Sequence, residues 1–113
     1  MLIGFVFADE SNRKRRPAVV VNSSSYHSHR KEVIVAAVTS NTRRRLFGDC
    51  PIRDWRAAGL LFPSLATGIL RTVRRDMLER RLGRLSTKDL EAVEVELRRS
   101  LSLAARAANA SYR

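Results

Sequence analysis

Two short apolar runs constrain this chain more than any other feature of its sequence. Residues 18–21 (AVVV) and residues 33–38 (VIVAAV) are continuous, rich in β-branched side chains and bounded by polar clusters. Runs of this length are too short for buried helices and fit buried strands. Pro17 opens the first run and disfavours helix at Arg16. A third apolar run, residues 2–7 (LIGFVF), reads as another strand. Further short strands are expected within residues 50–55, within residues 57–68 together with turns, and over residues 69–73. Residues 8–16 and the Ser/His-rich residues 22–31 read as polar loops, and residues 75–82 as the site of a helical turn.

The last segment has a different period. Ser86 is a helix N-cap, with Asp89 in capping-box position three residues on. Leu90, Val93, Leu97, Leu101 and Ala104 then recur at helical spacing and form one apolar stripe. Asp89, Glu91, Glu94 and Glu96 precede Arg98, Arg99 and Arg106, an order that complements the helix dipole. This helix is expected to pack on the sheet. The chain has 113 residues, no internal repeat and no long linker, so one α+β domain over residues 1–113, mainly β, is the economical expectation.

Charge points to the partner. The chain holds 22 Lys and Arg against 11 Asp and Glu, a net charge of +11. A pI near 11.4 calls for an anionic partner, and nucleic acid is the commonest. Arg outnumbers Lys 19 to 3; a coding preference for Arg codons accounts for that ratio but not for the net charge. Residues 1–83 carry +9 and residues 84–113 only +2, so the anion-binding face is expected in the first two-thirds of the chain.

Other classes lose support. No stretch of about 18 apolar residues is present to span a membrane. The segment MLIGFVFADE carries no positive charge ahead of its apolar run, so it does not read as a signal peptide. The single cysteine, Cys50, offers no disulfide framework, and a reducing cytoplasm is the expected compartment. No glycine-rich phosphate loop and no G-x-S-x-G elbow occurs. His27 and His29 alternate on a loop, short of the four ligands of a closed zinc site, so no metal and no cofactor is expected.

Two positions stand out within the basic surface. Arg13, Lys14, Arg15 and Arg16 run into Pro17, which fixes the direction in which the Arg16 guanidinium leaves the sheet. A guanidinium so placed can hold a phosphate bidentately. Thr39, Ser40 and Asn41 end the second strand; their plain reading is a strand end with a turn. If the two strands are neighbours, Thr39 presents a hydroxyl beside Arg16, and the pair becomes a phosphate-binding and oxyanion-stabilising site. RNA carries its own nucleophile, the 2′-OH, so a protein that positions the phosphate and stabilises its charge can cleave RNA without a metal. Phe5, Phe7 and Phe62 are expected in the core, Cys50 as a small buried hydrophobe, and Trp55 as core or interface filler rather than a base-stacking platform. Arg43, Arg44 and Arg45 are expected on an exposed loop that gathers phosphates.

The ordered set KRRPAVVVN, EVIVAAVTSN, DWRAAGLLFPS, LRTV and RRLGRLS before a C-terminal helix resembles the MazF/PemK family, toxins of type II toxin–antitoxin pairs. The likeness runs from about Phe5 to about Leu103. It implies an SH3-like, partly barrelled antiparallel sheet with a C-terminal helix, assembled as a homodimer. It implies a metal-independent, sequence-selective endoribonuclease that leaves 2′,3′-cyclic phosphate and 5′-OH ends on single-stranded RNA. It further implies a cognate antitoxin whose acidic, flexible tail covers the RNA groove. The family's catalytic arginine falls on Arg16, stabilising the phosphate and protonating the leaving oxygen. Its catalytic threonine falls on Thr39, hydrogen-bonding the phosphate. Arg13, Lys14, Arg15, Ser40, Asn41, Arg45 and His27 are the accompanying RNA-binding expectations. The sequence departs from the family where Met1 falls almost inside the first strand. It departs again after Pro63 and Ser64, where Leu65, Ala66, Thr67 and Gly68 replace charged residues found in some members. A non-catalytic nucleic-acid-binding module, a toxin directed at a protein such as a topoisomerase, and a degenerate toxin stay open at this point.

Overall fold

The computed structural model describes residues 3–8, by their backbone, and residues 15–103. Its strands are β1 (Ile3–Ala8), β2 (Arg15–Val20), β3 (Glu32–Thr39), β4 (Cys50–Ile52), β5 (Ser64–Arg74) and β6 (Leu78–Arg84). Its helices are α1 (Ser24–His29) and α2 (Thr87–Leu101). The six strands form one sheet in the order β4-β5-β3-β2-β1-β6, every pairing antiparallel.

That order forces curvature. β5 and β6 are joined only by the 3-10 turn Arg75–Met77, yet β3, β2 and β1 lie between them. In a flat sheet four strand spacings would separate them by roughly 19 Å. A 3-10 turn rising about 2 Å per residue covers less than half of that. The sheet therefore curls until its two sides meet at the turn, which is fastened to the start of β3 by Arg75 N–H donating to Lys31 O at 2.7 Å. The result is the expected partly barrelled, open sheet with its C-terminal helix.

β2 shows why the apolar runs are unbroken. Val19 joins a core cluster with Cys50, Ile52, Ala58, Ala66, Leu85 and Val93, on the side that α2 covers. Its neighbours Ala18 and Val20 join a second cluster with Val33, Val35 and Val73, inside the curl. Alternate residues face different cores, so over residues 18–20 neither face of the strand meets water.

Several elements differ from the sequence expectation. Residues 57–68 and 69–73 are not two strands; β5 runs through both. Its pairing with β3 shifts between Ala36 and Val38. There the buried Thr67 hydroxyl donates to Ala37 O at 2.7 Å and accepts from Ile69 N–H at 3.1 Å, bridging the gap in the ladder. Residues 75–82 hold the single 3-10 turn and then β6, whose alternation is disturbed by two irregularities against β1. Within residues 22–31 the chain forms the short helix α1, with Ser23 Oγ capping Tyr26 N–H at 3.1 Å. The short strand expected within residues 50–55 is present as β4.

α2 begins as expected, with Ser86 Oγ accepting from Asp89 N–H at 3.2 Å. The Asp89 side chain does not complete a capping box. It is 2% exposed and accepts instead from Arg53 N–H at 3.0 Å and Asp54 N–H at 2.8 Å. Val93, Leu90 and Leu97 pack on the core, Leu101 is exposed, and Ala104 lies outside the described residues. Cys50 is buried as expected, and Trp55 packs against the core. Phe62 is not a core residue; it is 62% exposed. The side chains of Phe5 and Phe7 lie outside the described residues. Among the described residues no helix is long and apolar enough to cross a membrane.

Candidate nucleic-acid interface

β2 and β3 are neighbours, which was the condition set for Arg16 and Thr39 to meet. Ala18 pairs with Ala37, Val19 with Ala36 and Val20 with Val35. Carried two residues further, the same antiparallel count sets Arg16 opposite Thr39. Directly opposed residues share a face of the sheet. Pro17 supplies no N–H to the ladder here, so the pairing ends just where Arg16 and Thr39 begin.

Both residues line one cavity of about 770 Å³. Its floor and near wall come from Arg15, Arg16, Pro17, Val38, Thr39 and Ser40. Arg80, Arg81 and Leu82 of β6 form a second wall, and Gly59, Leu60, Leu61, Phe62 and Ser64 a third. Thr39 Oγ1 accepts from Asn41 N–H at 3.1 Å, which leaves the hydroxyl hydrogen to point at a ligand. Arg15 Nε donates to Glu79 Oε1 at 2.6 Å. Arg16, Arg80 and Arg81 form no side-chain ion pair among the described residues. The cavity thus offers guanidinium N–H groups and two hydroxyls against an apolar wall, and no carboxylate among its described lining residues. Such a surface binds phosphates and can stabilise charge developing on their oxygens.

The apolar wall is built by the loop between β4 and β5. Asp89 holds its start through the two N–H bonds above. The loop turns through Gly59 N–H donating to Arg56 O at 3.0 Å and Leu60 N–H donating to Trp55 O at 3.0 Å. Gly59 has φ +85°, and a Cβ there would sit 2.0 Å from Leu82 O. Only glycine lets this loop press against β6. Neither the wall nor Arg80 and Arg81 was found by sequence reasoning. The RR pair in LERRLGR was the available signal, hidden because residues 75–82 were read as the site of a helical turn and not as a strand.

The remaining sequence-predicted residues fall outside the cavity lining. Asn41 meets the site only through its N–H bond to Thr39. Arg45, with Arg43 and Arg44, is exposed on the following loop. His27 lies on α1, which joins the opposite ends of β2 and β3, about 17 Å away along a six-residue strand. Arg13 and Lys14 lie outside the described residues. Among the described residues no group of three or more His, Cys, Asp or Glu is gathered to hold a metal ion. Burial, reinforced by Glu96 and Asp89, pushes the Cys50 thiol above its ordinary pKa. It is a neutral packing group whose Sγ donates to Pro51 O at 3.6 Å.

The model of the PemK-like, MazF-like toxins of type II toxin–antitoxin systems matches residues 4–101. The chain belongs to this toxin family. Solved structures share the fold of this MazF/PemK-family chain. The Mycobacterium tuberculosis toxin MazF-mt6 is 21% identical, with a TM-score of 0.76 over 90% of this chain and 98% of that one. An endoribonuclease in complex with its cognate antitoxin, from a mycobacterial species, is 16% identical, with a TM-score of 0.76 over 92% and 95%. A MazE–MazF structure from Deinococcus radiodurans is 16% identical, with a TM-score of 0.72 over 90% and 93%. Among curated protein sequences no match is found.

Proposed function

We propose that this chain is the toxin of a type II pair and acts as a metal-independent endoribonuclease on single-stranded RNA. The observation that carries the proposal is the convergence of Arg16 and Thr39, from adjacent strands, on one cation-lined cavity. In this reading the scissile phosphate lies between them. The 2′-oxygen attacks phosphorus and loses its proton, the bond to the 5′-oxygen breaks, and that oxygen gains a proton. The products are a 2′,3′-cyclic phosphate and a 5′-hydroxyl. Arg16 neutralises the non-bridging oxygens and directs an N–H at the leaving oxygen, while Thr39 donates its hydroxyl to the phosphate. Arg15, Arg80 and Arg81 carry the flanking backbone. Ser40 adds a second hydroxyl. Asn41 fixes the Thr39 rotor, and Arg45 gathers phosphates beyond the cavity.

The same reading includes a cognate antitoxin with an acidic tail, which the positive cavity suits, and a cytoplasmic site of action. It also includes a homodimer. Phe47 and Ile69 are exposed near the contact of Gly48 and Gly68 with Ser100 of α2, where Leu101 and Leu103 are exposed as well. An apolar patch of this kind suits a second copy. The test is incubation in EDTA with a long single-stranded RNA and a DNA of the same sequence, followed by end mapping. RNA cut at discrete sites with cyclic-phosphate ends, and DNA left whole, is the expected result. Uncut RNA, or cleavage only after a divalent ion is restored, overturns the proposal.

A further inference from the structure

The exposed aromatic in the cavity wall has no role in the chemistry above. Phe62 is 62% exposed and its neighbour Leu61 82%. The segment that presents them is anchored on both sides. Asp89 holds Arg53 and Asp54, Ala58 is buried, Gly59 fits against Leu82, and the buried Ser64 hydroxyl donates to Phe62 O at 2.8 Å. The ring is therefore displayed on a fixed support beside Arg16, Thr39, Arg80 and Arg81. Trp55, expected as core or interface filler, is indeed half-buried against the core, with Arg56 over its ring at 4.8 Å.

We infer that Phe62 is a stacking platform for a base of the bound single strand, next to the phosphate held by Arg16 and Thr39. The loop between β4 and β5 thereby helps to hold the strand across the cavity. The inference rests on the nucleic-acid reading of the cavity. In a nucleotide a planar ring hangs beside each phosphate, and the cavity sets an apolar aromatic face beside a phosphate-binding pair. Each base has a π-face, so stacking adds affinity without hydrogen-bond readout. The cations among the described lining residues, Arg15, Arg16, Arg80 and Arg81, favour a nucleotide over an uncharged apolar side chain as the occupant.

The test uses short single-stranded 2′-O-methyl oligoribonucleotides, which cannot supply the nucleophile, with 2-aminopurine at each position in turn. The intact protein is expected to bind and to quench the fluorescence at one position. Phe62→Ala should lose that quench and weaken binding by about 5- to 100-fold. Phe62→Trp should retain both, and Phe62→Leu, which keeps apolar contact without the stack, should lose the quench. Circular dichroism confirms that the variants fold. If Phe62→Ala binds and quenches as the parent does, the inference fails and the ring belongs to a protein partner. If the parent protein binds no oligonucleotide, it fails together with the nucleic-acid reading. If quenching depends on Phe62 while natural RNA is never cut, the inference stands and the nuclease proposal falls.

Discussion

The two ends of the β2–β3 pair are both rich in arginine, and they use it differently. At the α1 end the charges are consumed internally. Arg30 pairs with Glu32 at 3.0 Å and lies over the Tyr26 ring at 5.4 Å. Arg74 pairs with Asp76 at 3.2 Å, and Arg75 donates to the carbonyls of His27 and Arg30. At the other end Arg16, Arg80 and Arg81 face a cavity without ion-pair partners among the described residues, and Arg15 alone is tied, to Glu79. Arginine is present at both ends; what differs is whether the cations have intramolecular partners among the described residues and a concave surface to act across. A basic composition calls for an anionic partner, and the cations left without intramolecular partners among the described residues mark the candidate site.

The largest effect expected from breaking this contrast is catalytic. Arg16→Ala and Thr39→Ala should each lower single-turnover RNA cleavage by about 100- to 1,000-fold, the usual cost of removing one stabilising donor. Arg16→Lys should recover little, because an ammonium lacks the planar fork. At the α1 end His27→Ala and Arg74→Ala should leave cleavage within about twofold. A tenfold loss in either would mean that RNA reaches the far end of the sheet.

Next comes the support of the cavity wall. Asp89→Ala removes a buried acceptor of two backbone N–H bonds and should destabilise the fold by about 2–3 kcal/mol. For a chain of this size that lowers Tm by roughly 10 °C, readable by circular dichroism. An unchanged Tm would show that the wall stands without the α2 anchor.

Smaller effects sharpen the comparison. Arg80→Ala and Arg81→Ala should each lower the slope of log affinity against log salt by about one for single-stranded RNA. Arg30→Ala and Arg74→Ala should leave that slope unchanged. Equal slopes for all four variants would dissolve the distinction between the two ends. Smallest of all, Cys50, held protonated by burial, should resist alkylation at neutral pH in the folded protein and react on unfolding.

How much of this was legible follows from the same physics. Strands buried on both faces advertise themselves as unbroken apolar runs, so β2 and β3 were visible, and with them the strand ends that carry Arg16 and Thr39. α2 was visible because one face packs and its period is helical. β5 was obscured at Thr67, Gly68 and Ile69, where the irregular ladder breaks the alternation that marks a strand. β6 was obscured because it is an edge strand with two irregularities. α1 is too short and polar to show a stripe. Phe62 was placed in the core on residue type alone; its exposure depends on a loop geometry set where Gly59 meets Leu82 and where Asp89 holds Arg53 and Asp54, contacts with distant parts of the sequence. Asp89 stood at a capping position, and nothing in the spacing revealed that a loop 35 residues upstream would claim its carboxylate.

The most direct measurement is a double-mutant comparison of RNA cleavage in EDTA, with ends mapped, for the parent protein, Arg16→Ala, Thr39→Ala and the double variant. Groups acting on one phosphate work as a unit, so each single variant should lose most of the activity and the double should lose little more. Cleavage at the parent rate in either single variant, or losses that multiply in full, would contradict a shared site at the end of β2 and β3.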